Sequence, residues 1–229
     1  IAMMDRSFSA SLNPGNNHTV EMELFLAYAL AGGNRSVFTS YVKRAHLEPD
    51  DKELADAISA YVEGDVDKAQ AQFEKVDAQA LDPRLAPLVA LAKGTANLRD
   101  NPRTAIRNFD LARLMAPGTL VEEVALRRSV SLETVNGNGM RFLKASEQYA
   151  RRFIRSPYAA QFAEAFVTGA VSMDETIADA SIAEVLSAAS VLGTEFAEDV
   201  VMLMTELNEL DVDAALDAAI GAGLLVDTG

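Results

Sequence analysis

The chain has no cysteine, no tryptophan and only two histidines. Without cysteine there is no disulfide, no zinc–thiolate centre, no iron–sulfur cluster and no catalytic thiol, and the redox compartment is left open. The histidines do not replace what is missing. His18 lies in a turn-rich opening stretch and His46 at an expected helix end, where imidazole commonly caps carbonyls, and the two do not have metal-ligand spacing. No Gly-x-Ser-x-Gly elbow and no Gly-Lys-Ser or Gly-Lys-Thr run occurs. Gly32-Gly33 and Gly221-Ala222-Gly223 are too short to cradle a phosphate. These absences speak against acyl transfer and nucleotide hydrolysis, and no catalytic site, cofactor or metal is expected. No apolar run reaches the roughly 18 residues that would span a bilayer.

Basic residues are missing from the last third. Arg155 is the last of the 20 Lys and Arg, and the 20 Asp and Glu before it leave that part neutral. The 14 acids from Glu164 to Asp227 therefore carry the whole net charge of −14. Such a segment repels nucleic acid and anionic lipid, because binding either depends on neutralising phosphate. Alternating β-branched runs are also scarce, which favours an all-helical class over a sheet.

What is present is helical periodicity with regular punctuation. Ala105, Phe109 and Ala112 share one helix face and Pro117 follows, the pattern of a tetratricopeptide-type hairpin. Ala145, Tyr149, Arg152 and Pro157 repeat it 40 positions later, and Ala69, Phe73 and Val76 with Pro83 form a looser copy upstream. The intervals of 36 and 40 between the aromatics are close to the roughly 34 of the standard unit. The expected fold is all-α, with tetratricopeptide-like antiparallel helical hairpins stacked as a short solenoid.

Asp82-Pro83, Asn101-Pro102 and Ser156-Pro157 each place a capping side chain before a proline, predicting helices that start at those prolines. Thr119 with Glu122, and Ser181 with Glu184, fit capping boxes. Val20 to Leu30 predicts a helix stopped by Gly32-Gly33, a second helix covers about Val37 to Ala45, and Pro49-Asp50-Asp51 opens another. Asn136-Gly137-Asn138-Gly139 is the strongest mid-chain breaker, and it reads as a loop inside the array. The domain reading is a leader loop over 1–19, a helical-repeat domain over 20–171, and an acidic helical module over 172–229 that continues the array or stands apart. Ile1 is not an initiator methionine, which fits a mature or trimmed chain.

The carboxylates Asp50, Asp51 and Glu53, the pair Glu122 and Glu123, and Asp65 with Asp67 sit at helix starts or turns, where caps and first-turn acids explain them. From Asn101 to Arg155, ten bases face five acids. Arg103, Arg107 and Arg113 fall on one repeat helix, Arg127 and Arg128 on its partner, and Arg151, Arg152 and Arg155 on the next. Internal ion pairing, such as Arg127 or Arg128 with Glu123, accounts for part of this. Otherwise the surface offers a site for an anionic partner or for the chain's own acidic segment. The candidate contact residues are Arg127, Arg128, Tyr149, Arg151, Arg152, Arg155 and Tyr158.

Asn108-Phe-Asp-Leu-Ala-Arg-Leu-Met-Ala-Pro-Gly-Thr-Leu-Val-Glu-Glu-Val-Ala-Leu-Arg-Arg-Ser-Val130 and Gln148-Tyr-Ala-Arg-Arg-Phe-Ile-Arg-Ser-Pro-Tyr-Ala-Ala-Gln-Phe-Ala-Glu-Ala-Phe166 are two central stretches that resemble the MotC family of alphaproteobacterial flagellar systems. Tyr28-Ala-Leu-Ala-Gly-Gly-Asn34 is similar to an early helix and turn of that family, and the likeness extends from about Val20 to about Ala189. The resemblance implies a periplasmic, non-enzymatic helical protein needed for motility. Its implied partner is the stator protein MotB, whose periplasmic part it chaperones. Farther on, Val185 to Phe196 and Ala214 to Leu225 resemble winged-helix segments of large signalling ATPases, without the ATPase motifs. The alternatives are a generic tetratricopeptide-like adaptor and a regulatory fragment of a larger signalling protein.

Overall fold

A computed structural model describes residues 18–45 and 47–173. The described residues form nine α-helices and one 3-10 turn, with no strand, so the all-α class holds. The helices are α1 (His18–Leu30), α2 (Arg35–Arg44), α3 (Pro49–Glu63), α4 (Val66–Phe73), α5 (Ala86–Ala96), α6 (Pro102–Met115), α7 (Leu120–Val135), α8 (Gly139–Phe153) and α9 (Ala159–Ser172). His18 is the first residue of α1, so that helix starts two positions before the expected Val20. His46, the Ser181–Glu184 capping box, the winged-helix-like stretches and nearly all of the acidic module lie outside the described residues.

The chain divides between Pro117 and Gly118 into two compact units, a division inside the span 20–171 that was expected to be one array. In the first unit α3 packs on α4 and α5 on α6, while α1 lies against α2, α3 and α5. The repeat signature is its core. Ala69, Phe73, Val76, Ala105, Phe109 and Ala112 are all buried. The α5–α6 contact is close because Gly94 carries no side chain, and a Cβ there would stand 2.5 Å from the Phe109 ring. Gln70 Nε2 donates to the Ala96 carbonyl at 2.7 Å and fastens α4 to the end of α5.

Punctuation was right where the local hydrogen bond could form at once. Asn101 Oδ1 accepts from the Thr104 N–H at 3.2 Å and caps α6 at Pro102, as expected, while Asn34, which the sequence reading did not single out, caps α2 through the Ser36 N–H at 2.9 Å and starts it two positions before Val37. The other two Xaa-Pro pairs differ from expectation. Asp82-Pro83 opens a turn, with Asp82 Oδ1 accepting from the Arg84 N–H at 2.9 Å, and α5 starts only at Ala86. Ser156 Oγ likewise accepts from the Tyr158 N–H at 3.2 Å, and α9 starts at Ala159. An Asx- or Ser-turn satisfies the same donors as a cap, so the dipeptide alone does not fix the helical start.

In the second unit α8 folds back antiparallel on α7, and α9 packs mainly against α7. Gly137, at φ +65°, and Asn138, which caps α8, make the reversal. The core is aromatic. The Tyr149 and Phe162 rings stack at 4.1 Å, and Phe142 stacks on Phe166 at 5.6 Å.

Candidate partner-binding surface

The basic stretch 101–155 is split by the division of the chain. Arg103, Arg107 and Arg113 lie on α6 in the first unit, whose hairpin partner is α5 rather than the helix carrying Arg127 and Arg128. Arg113 is paired with Asp110 at 2.9 Å. The seven candidate residues all fall in the second unit, on α7, on the end of α8 and in the 154–158 turn.

Their surroundings are set by three carboxylates that α7 turns inward. Glu122, Glu123 and Glu133 are 1%, 4% and 2% exposed. Glu122 does not form the expected capping box with Thr119. Its carboxylate accepts from the Gly118 N–H, from Gln148 Nε2 at 2.9 Å and from Arg152. Glu123 accepts from the Tyr149 hydroxyl at 2.9 Å, and Glu133 accepts from Arg141. Burial of a carboxylate is costly unless donors surround it, and here α8 supplies them. The acids are therefore internal acceptors that join α7 to α8, not merely first-turn charges.

The candidates consequently separate into two groups. Tyr149 is fully buried, so it is a core residue and not a surface contact, correcting its place among the candidates. Burial, followed by the hydrogen bond to Glu123, holds its phenol well above the ordinary range, so it stays protonated. Arg152 is bonded to the buried Glu122 and is structural as well. Arg151, one residue away, is exposed and, among the described residues, paired with Glu147 one turn earlier. Arg155 is exposed.

Arg127 does not pair with Glu123, whose described donor is the Tyr149 hydroxyl. Its guanidinium instead lies over the Tyr158 ring, 4.8 Å from the centroid, and donates to Gln161 at the start of α9. Gln161 has no charge and no periodic position to mark it, so sequence reasoning passed over it. Among the described residues, neither Arg127 nor Arg128 is matched by a carboxylate. Removing Arg152 is expected to cost about 1–3 kcal/mol, since a buried carboxylate loses a charged donor. Arg151→Ala should stay within about 0.5 kcal/mol. Urea denaturation followed by circular dichroism would separate them, and equal effects would contradict the assignment.

The described residues hold no group of three or more His, Asp or Glu placed to bind a metal, and no described helix is long and apolar enough to cross a membrane. Residues 18–202 match the protein family described as Chemotaxis protein MotC. The chain is 35% identical over 162 residues to the chemotaxis protein MotC of Rhizobium meliloti (strain 1021), a match covering 71% of this chain and 37% of that protein. The chain thus spans well under half the length of this curated relative. No solved structure is significantly similar.

Proposed function

The chain belongs to the MotC family, and from that premise we propose that it is a non-enzymatic accessory protein of flagellar motility and chemotaxis. It acts in the periplasm by holding the periplasmic part of the stator protein MotB as a chaperone. The observation that carries the binding role is the arginine-bearing surface of the second unit, where Arg127 and Arg128 lack carboxylate partners among the described residues. Helical hairpins suit such work, since they bury their core between helices and leave a broad surface for many modest contacts.

The test is capture of a purified periplasmic fragment of the stator protein by the immobilised chain, together with swimming of a strain that lacks the gene. Capture and loss of swimming are the expected results. Failure of the chain to capture the fragment overturns the chaperone reading. The Arg127→Ala, Arg128→Ala, Arg155→Ala combination should weaken capture about tenfold or more, corresponding to about 1.4 kcal/mol. Arg152 is left intact in that variant because its loss would disturb the fold.

A further inference from the structure

The chemistry of the partner follows from how the described part of the second unit, residues 118–173, distributes its charge. Residues 118–173 contain seven Arg and Lys and five Asp and Glu. Glu122, Glu123 and Glu133 are buried, which leaves Glu147 and Glu164 as the accessible acids among the described residues of the unit, and Glu147 already pairs with Arg151. Carboxylates have thus been withdrawn from the surface while guanidinium groups remain on it.

Arg127 is the best placed of these cations. Its guanidinium carbon lies 4.8 Å from the Tyr158 ring centroid, and Gln161 is its one protein hydrogen-bond acceptor among the described residues. Most of its five guanidinium donors therefore have no partner among the described residues. A guanidinium beside an aromatic ring keeps its donor fork, and that fork matches a carboxylate bidentately. Arg128 adds a second positive charge on the same turn of α7.

We propose that Arg127, seated on Tyr158 and flanked by Arg128, receives a carboxylate from an acidic segment of the protein partner. This rests on the partner-holding role above and names the partner's chemistry: an exposed stretch rich in Asp or Glu and poor in Lys and Arg. The paired, ring-supported guanidinium also favours a carboxylate over a neutral amide, because only the charged group satisfies the fork with charge-assisted bonds.

The test uses the whole chain in a fluorescence-anisotropy titration. One probe is a fluorescein-labelled peptide of alternating Glu and Gly, and the other carries Gln in place of each Glu. The acidic probe should bind at least about tenfold more tightly than the amide probe. Its affinity should fall about tenfold in Arg127→Gln, Arg128→Gln, while helical circular dichroism stays unchanged and the melting temperature falls by only about 4–8 °C through loss of the Tyr158 and Gln161 contacts. Arg127→Lys should restore only part of the loss, because lysine keeps the charge without the fork. The charge-matched Arg103→Gln, Arg107→Gln variant should bind like the wild type. Raising NaCl from about 0.05 to about 0.5 M should weaken binding as screening shortens the range of the charges.

Equal binding of the two probes, or an affinity unchanged in the Arg127, Arg128 variant, overturns the proposal. So does absence of binding to the wild-type chain, including the case in which the chain's own acidic residues beyond 173 fill the surface. Capture of the stator fragment without acidic-probe binding would remove this inference alone and leave the accessory role standing. Acidic-probe binding without stator capture would remove the choice of partner instead.

Discussion

Tyr149→Ala is expected to destabilise the second unit by about 3–5 kcal/mol, the range for emptying a large aromatic site in a core. Tyr149 is fully buried, its ring stacks on Phe162 at 4.1 Å, and its hydroxyl donates to Glu123, which is itself buried. Alanine leaves a cavity and also strips the carboxylate of its phenol donor. Tyr149→Phe divides the two effects. It keeps the ring and should cost only the unsatisfied acceptor, about 1–3 kcal/mol. Hydrogen exchange read by mass spectrometry would show protection lost in peptides from α7, α8 and α9. A neutral Tyr149→Phe would mean that Glu123 does not depend on the hydroxyl.

The same residue gives the wild-type chain an alkaline weakness. An unperturbed phenol titrates near 10.0, and in the folded chain burial and the Glu123 bond raise that value. The stability gained by holding the proton is complete below pH 10 and is lost as pH climbs from there through the folded-state value. Denaturation midpoints should therefore decline above about pH 10 in the wild type, and less steeply in Tyr149→Phe. Parallel declines in the two proteins would assign the loss to other groups.

Gly94→Leu is the second large effect, at about 3 kcal/mol or more in the first unit. The Cβ alone would lie 2.5 Å from the Phe109 ring and 3.2 Å from the Ala105 carbonyl oxygen, and both residues are buried. Even Gly94→Ala should destabilise, although helix propensity alone would reward it by about 1 kcal/mol. The sign of that small substitution decides whether packing or propensity governs the site. Phe109→Ala should cost about 3–5 kcal/mol by itself. In Gly94→Leu, Phe109→Ala the new side chain enters the space the ring vacated, so the double variant should lose clearly less than the sum. Additive losses in urea titrations would show that the two residues do not share one space.

The Ala105, Phe109, Ala112 face was legible because helical periodicity is local. Its complement was not. Gly94 looks like any helical glycine, a mild breaker, and only the approach of α6 turns it into a requirement. The candidate surface shows the same limit between neighbours. Arg151 and Arg152 are adjacent, chemically identical and both exposed, yet one pairs with Glu147 on its own helix and the other with the buried Glu122 of α7. Tyr149 and Tyr158 share an aromatic pattern, but one fills the core and the other supports Arg127 from the surface.

By itself the sequence determined the helical class, the reversals at Gly32-Gly33 and Asn136–Gly139, the asymmetry of charge and the family likeness, because periodicity, turn chemistry and composition act over a few residues. The tertiary structure alone decided which acids turn inward and which arginines meet them. Glu122 and Arg152 are 30 positions apart, and Glu123 and Tyr149 are 26 apart. A carboxylate can be buried only when donors on another helix arrive to meet it, and that meeting depends on how two helices pack rather than on the residues beside it in the chain.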